Sequence, residues 1–82
     1  MKAAEIRRLA QAHDQAALEA AADALAEELP CPIEVAGEDD GERLTHLMLA
    51  SRLRGMVDAG QPLAQAFREV MQGVRTVMTN ED

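Results

Sequence analysis

Aromatic residues are nearly missing from this sequence: among 82 residues there is no Trp, no Tyr and a single Phe, Phe67. A core built without rings has to be aliphatic. Five methionines make it a soft one, since thioether side chains fill gaps but specify packing weakly. The only cysteine is Cys31, so no intrachain disulfide can form, and with no basic neighbour to activate it the thiol reads as inert. Cations are scarce as well. Eight Lys and Arg against fifteen Asp and Glu leave a formal net charge of −7. Phosphate backbones are met by basic faces, so this balance argues against nucleic acid as a partner, and it disfavours an anionic membrane surface. No stretch approaches the roughly 20 consecutive apolar residues of a membrane helix. The opening MKAAEIRRLA carries no apolar run of the signal-peptide kind. A cytoplasmic location is the expectation. Also lacking are a glycine loop that would cradle phosphate and any Cys/His spacing for zinc.

The apolar residues that remain are enough for one core, and residues 1–82 are expected to form a single helical domain. A chain this short buries a smaller share of its surface than a larger domain does. Small domains with such cores often gain stability by self-association, so a homodimer is expected, alongside a protein partner that the sequence does not name.

Residues 2–12 read as a first helix. Ala3, Ile6, Leu9, Ala10 and His13 fall on one face, and Glu5, Arg7, Arg8 and Gln11 are expected to face away. Glu5 and Arg8 make a weak ion pair at three-residue spacing. Asp14 is a good N-cap for a second helix over residues 15–29, whose stripe is Leu18, Ala21, Ala22, Leu25 and Leu29. With no glycine between them, the two helices should meet at a sharp corner. Pro30 ends the second helix, and Pro30-Cys31-Pro32 is a stiff extended connector. Ile33-Glu34-Val35 alternates like a strand but is only three residues long. Either this segment tucks Ile33 and Val35 into the core, which its shortness favours, or it pairs with its own copy across a dimer axis.

Residues 37–57, GEDDGERLTHLMLASRLRGMV, pass from an acidic turn into the most apolar helix of the chain. Asp39 lies three residues before Glu42, a capping-box spacing, and Asp40 is an alternative cap. The third helix, over residues 42–58, shows two stripes: Leu44, Leu47, Met48 and Ser51, then Leu49, Leu53, Met56 and Val57. A helix apolar on two sides is expected to be central, with Arg43, Arg52 and Arg54 outside. Gly55 would permit a close crossing, and Gly60 suits the left-handed residue after a helix end. Pro62 opens a fourth helix over residues 62–78 with Leu63, Phe67, Val70, Met71, Val74, Val77 and Met78 on its stripe. The last four residues are polar, and fraying is expected there.

One cluster is chemically suggestive. Glu38, Asp39, Asp40 and Glu42 surround the helix start, and His46 sits four residues after Glu42 on the same face. Carboxylates plus an imidazole could hold a divalent cation. Neither the register of a calcium-binding EF-hand loop nor a di-iron Glu-x-x-His pair is present, and capping accounts for the acids without a ligand. Ser51 lies on the wrong side of the helix to pair with His46, and no other nucleophile does, so His46 is expected to be structural and Thr45 to bond nearby backbone.

The opening MKAAEIRRLA, the alanine-rich stretch from Leu18 to Leu29 and above all IEVAGEDDGERLTH resemble a group of short, acidic bacterial proteins with no assigned activity. That resemblance implies a compact domain with a recurring acidic loop and Thr-His centre, and it brings no catalytic residue with it. The expectation is therefore an all-α domain of four helices with an extended segment near residues 32–36. Its role would be that of a non-enzymatic, self-associating interaction module without a cofactor. The alternative is cation or small-ligand binding at Glu38, Asp39, Asp40, Glu42 and His46.

Overall fold

The computed structural model describes residues 2–79, with side chains over residues 2–73. Four helices follow in order: α1 (Ala3–Ala12), α2 (Gln15–Ala26), α3 (Asp40–Asp58) and α4 (Leu63–Thr79). Among the described residues there is no strand. The all-α fold expected from the periodicities is the one observed. Val74, Val77 and Met78 of the expected α4 stripe, and residues 80–82, lie outside the described side chains.

α3 is the hub. It packs on α1, on α2 and on α4, while α1 and α2 touch only lightly. The shared core takes Ile6, Leu9 and Ala10 from α1, Leu18, Ala21 and Leu25 from α2, Leu47, Ala50 and Leu53 from α3, and Ala66 and Val70 from α4. Alanines alternate with leucines in this set, so helices can approach where the small residues meet. At Gly55 an added Cβ would lie 2.8 Å from Nε2 of Gln15, the first residue of α2.

The corner between α1 and α2 consists of His13 and Asp14, both in extended backbone. Asp14 caps α2 by accepting the N–H of Ala17 at 2.8 Å. The open end of α1 is closed from elsewhere. Arg54 of α3 donates from Nη1 to the carbonyls of Ala10 and His13, each at 3.1 Å, and from Nε to Asp58 at 2.9 Å. A cation is well placed at a helix C-terminus, where unpaired carbonyls gather. Arg54 was expected outside the fold; it is half-buried because those carbonyls lie on the α1–α3 seam.

Two helices end in the same way. After α3, Gly60 takes a left-handed φ of 110°, its N–H bonds Val57 O at 3.0 Å, and the N–H of Gln61 reaches Met56 O at 3.1 Å. After α2 the same paired closure appears, with Glu28 N–H to Leu25 O at 3.1 Å and Leu29 N–H to Ala24 O at 2.8 Å. Here the left-handed position belongs to Glu28, with φ 59°. This turn stops α2 at Ala26 rather than Leu29 and carries Leu29 off the apolar stripe, so that it is 54% exposed. Met48 is likewise more exposed than its stripe predicted, at 60%, because the facing alanines of α2 are too short to cover it.

The two ends give opposite expectations. A left-handed residue with a Cβ costs roughly 1 kcal/mol over glycine. Glu28→Gly should therefore stabilise the protein by about 0.5–1 kcal/mol and Gly60→Ala should destabilise it by about 1 kcal/mol in urea unfolding. Changes of the reverse sign would show that neither closure survives in solution.

Candidate functional site

The extended segment after α2 carries Ile33 and Val35 as partly buried residues against the core, the tucked arrangement. Extended backbone presents unpaired N–H and C=O groups, and burying them unmet is costly. In this fold side chains from two helices meet them. Glu5 of α1 is buried, at 8% exposure, although its neighbours suggested a solvated face. One of its carboxylate oxygens, Oε2, accepts the N–H of Ala36 at 2.9 Å. Arg8 grips the same carboxylate with both arms, Nε at 2.8 Å and Nη2 at 2.6 Å, and donates onward from Nη2 to Glu34 O at 3.0 Å. A hint of this was present in the sequence: Glu5 lies four residues before Leu9, on the buried face.

The carbonyl of Ala36 belongs to His46, which is fully buried in α3. Its Nδ1 lies 2.8 Å from Ala36 O, and its Nε2 lies 3.0 Å from the backbone N of Lys2 at the start of α1. A carbonyl only accepts and an amide N–H only donates. The ring is therefore the neutral tautomer with its proton on Nδ1, donating to Ala36 and accepting from Lys2. One imidazole ties together the N-cap of α1, the extended segment and α3.

The acidic residues make bonds of their own around the start of α3. Asp39 caps α3, accepting the Glu42 N–H at 2.7 Å, and Glu42 reaches back to the Glu38 N–H at 2.7 Å. The reciprocal bond thus goes one residue further out than in the usual capping box. Asp40 pairs with Arg43, and Thr45 donates to Gly41 O at 3.0 Å, the backbone bond expected of it. Both nitrogens of His46 are spent on backbone, leaving no lone pair for a metal. Among the described residues no three His, Cys, Asp or Glu side chains are grouped so as to hold a metal ion. Glu38, Asp39, Asp40 and Glu42 stay together at the helix start, and the ring nitrogens of His46 meet the backbone of Lys2 and Ala36 instead of a carboxylate.

A second feature left no trace in the motifs. A cleft of about 800 Å³ opens between α1 and α4. Its floor is Leu63, Phe67 and Met71, and Arg7 and Arg68 stand at its rim. Arg7 lies over the Phe67 ring, 5.7 Å from its centroid, a cation–π contact that keeps both side chains at the opening. Arg8, Arg43 and Arg54 are each paired with a carboxylate. Arg7 and Arg68 have no such partner among the described residues, and no carboxylate lines the cleft.

The model of a family of unknown function (DUF6952) matches residues 1–79. The chain belongs to that family. No curated protein and no solved structure matches it. Among the described residues no helix is long and apolar enough to cross a membrane.

Two expectations follow for the clamp on Ala36. The Arg8 guanidinium, helped by the Ala36 N–H and opposed by burial, holds the Glu5 carboxyl at about 2 against an ordinary 4.5. A lowered pKa stabilises the fold above the unfolded value, and that contribution fades as pH falls toward the folded one. Arg8 is about half exposed, which moderates the effect, so Glu5→Gln should cost about 1–2 kcal/mol at pH 7. The gap to wild type should close between pH 4.5 and about 2 in urea unfolding; a gap independent of pH would contradict the clamp. His46→Ala empties a buried site and leaves an N–H and a C=O unmet, for an expected loss of about 2–4 kcal/mol. A loss under about 1 kcal/mol would show that both bonds are dispensable.

Proposed function

We propose that the chain is a non-enzymatic protein–protein interaction module that self-associates through the open edge of α4. One observation carries this reading. α4 packs chiefly on α3 through Ala66 and Val70, while Leu63, Phe67 and Met71 of the same helix line an open cleft. Isolated apolar side chains on a surface need no explanation, but a concave apolar floor between two helices is the shape into which another protein's side chains pack. The polar groups point the same way. His46 is committed to backbone on both nitrogens, and Asp39 and Glu42 to capping, so the acidic loop reads as framework. A small aliphatic core leaves stability to be gained from a partner's apolar surface.

The test is mass in solution. Light scattering coupled to size exclusion, at concentrations on the order of 100 μM, should give twice the chain mass. Phe67→Glu places a carboxylate on the cleft floor and should give the single-chain mass with helical circular dichroism unchanged. A wild-type protein that is monomeric at that concentration would overturn the proposal.

A further inference from the structure

Self-association alone does not say which surfaces meet, and the charges on the page do. A second concavity, of about 450 Å³, runs between α2 and α3. Its floor includes Ala22, Leu44 and the 60%-exposed Met48, and Glu19 and Asp23 stand beside it on α2. These two acids lie four residues apart, on one face of the helix. Neither has a cationic partner among the described residues. Among the described residues, one apolar hollow is thus rimmed by arginines without a carboxylate partner and another by carboxylates without a cationic one.

We infer that the α1–α4 cleft of one copy seats against the α2–α3 groove of a second copy, Arg7 and Arg68 facing Glu19 and Asp23. Three pairings of the hollows are possible. Cleft on cleft would bring four arginines together with no carboxylate near, and groove on groove would oppose four carboxylates. Juxtaposed like charges are strongly disfavoured at an interface. Only cleft on groove covers both floors while setting opposite charges at both rims. In the inferred pairing the contact is reciprocal, made twice about one two-fold axis, since a head-to-tail contact made once would leave the assembly open. Complementary rims also fix the register of a soft methionine and leucine contact, which on its own would slide.

This inference rests on the self-association proposed above, and charge reversal separates the two. Arg7→Glu with Arg68→Glu makes both hollows acidic. Glu19→Lys with Asp23→Lys makes both basic. All four residues are exposed, so folding should persist, as circular dichroism will show. In sedimentation velocity each double variant alone should associate at least about tenfold more weakly than wild type. An equimolar mixture of the two should recover a 1:1 complex, because every rim again meets its opposite. The neutral pair Arg7→Gln and Arg68→Gln should fall between. If wild type associates and either reversed variant associates equally well, or the mixture fails to recover, this pairing is overturned while self-association stands. If wild type is monomeric, the self-association itself is overturned.

Discussion

The backbone of Ala36 is held on both sides, at its N–H and at its C=O, and the segment between α2 and α3 depends on that hold. Glu5 takes its N–H and His46 takes its C=O. Without them the segment after α2 would be a length of extended backbone with no sheet to join. With them, a helix-only protein keeps a strand-like segment that brings Ile33 and Val35 against the core. The edge that pairs with a neighbouring strand in a sheet here pairs with side chains of α1 and α3.

The same interaction explains why polar residues sit where leucines would be expected. Glu5 is buried because its carboxylate is met by an amide and a guanidinium, so the charge is compensated. His46 is fully buried because each ring nitrogen faces a backbone group of the opposite kind. Arg54 does for the end of α1 what His46 does for its start. α3 therefore acts as more than an apolar hub: its side chains close both ends of α1. Glu5, His46 and Arg54 are thus each committed to backbone of another segment.

Much of the fold was legible in the chain order. Asp14 and Asp39 announced the two caps that the structure shows, and Gly60 announced the left-handed turn after α3. The two apolar sides of α3 announced its central place. The end of α2 was not legible, because the left-handed position there is filled by Glu28, which no turn rule singles out. The acidic cluster was legible as a neighbourhood, while the bonds of His46 were not. Helical spacing puts Glu42 and His46 on one face, but the partners of His46 come from residues 2 and 36, distant in sequence.

Local rules reach as far as neighbouring residues do. Helix count, caps, the corner at Asp14 and the aliphatic character of the core are set by spacings of three and four residues and by composition, and the sequence by itself determined them. The clamp on Ala36, the capping of α1 by Arg54, and the cleft between α1 and α4 each join segments tens of residues apart. Their physics is hydrogen-bond satisfaction and charge pairing across packed helices, and such pairings exist only once the chain has closed on itself. The tertiary structure alone decided that His46 bonds backbone at residues 2 and 36, and that Arg7 and Arg68 stand beside an open apolar floor with no carboxylate partner among the described residues.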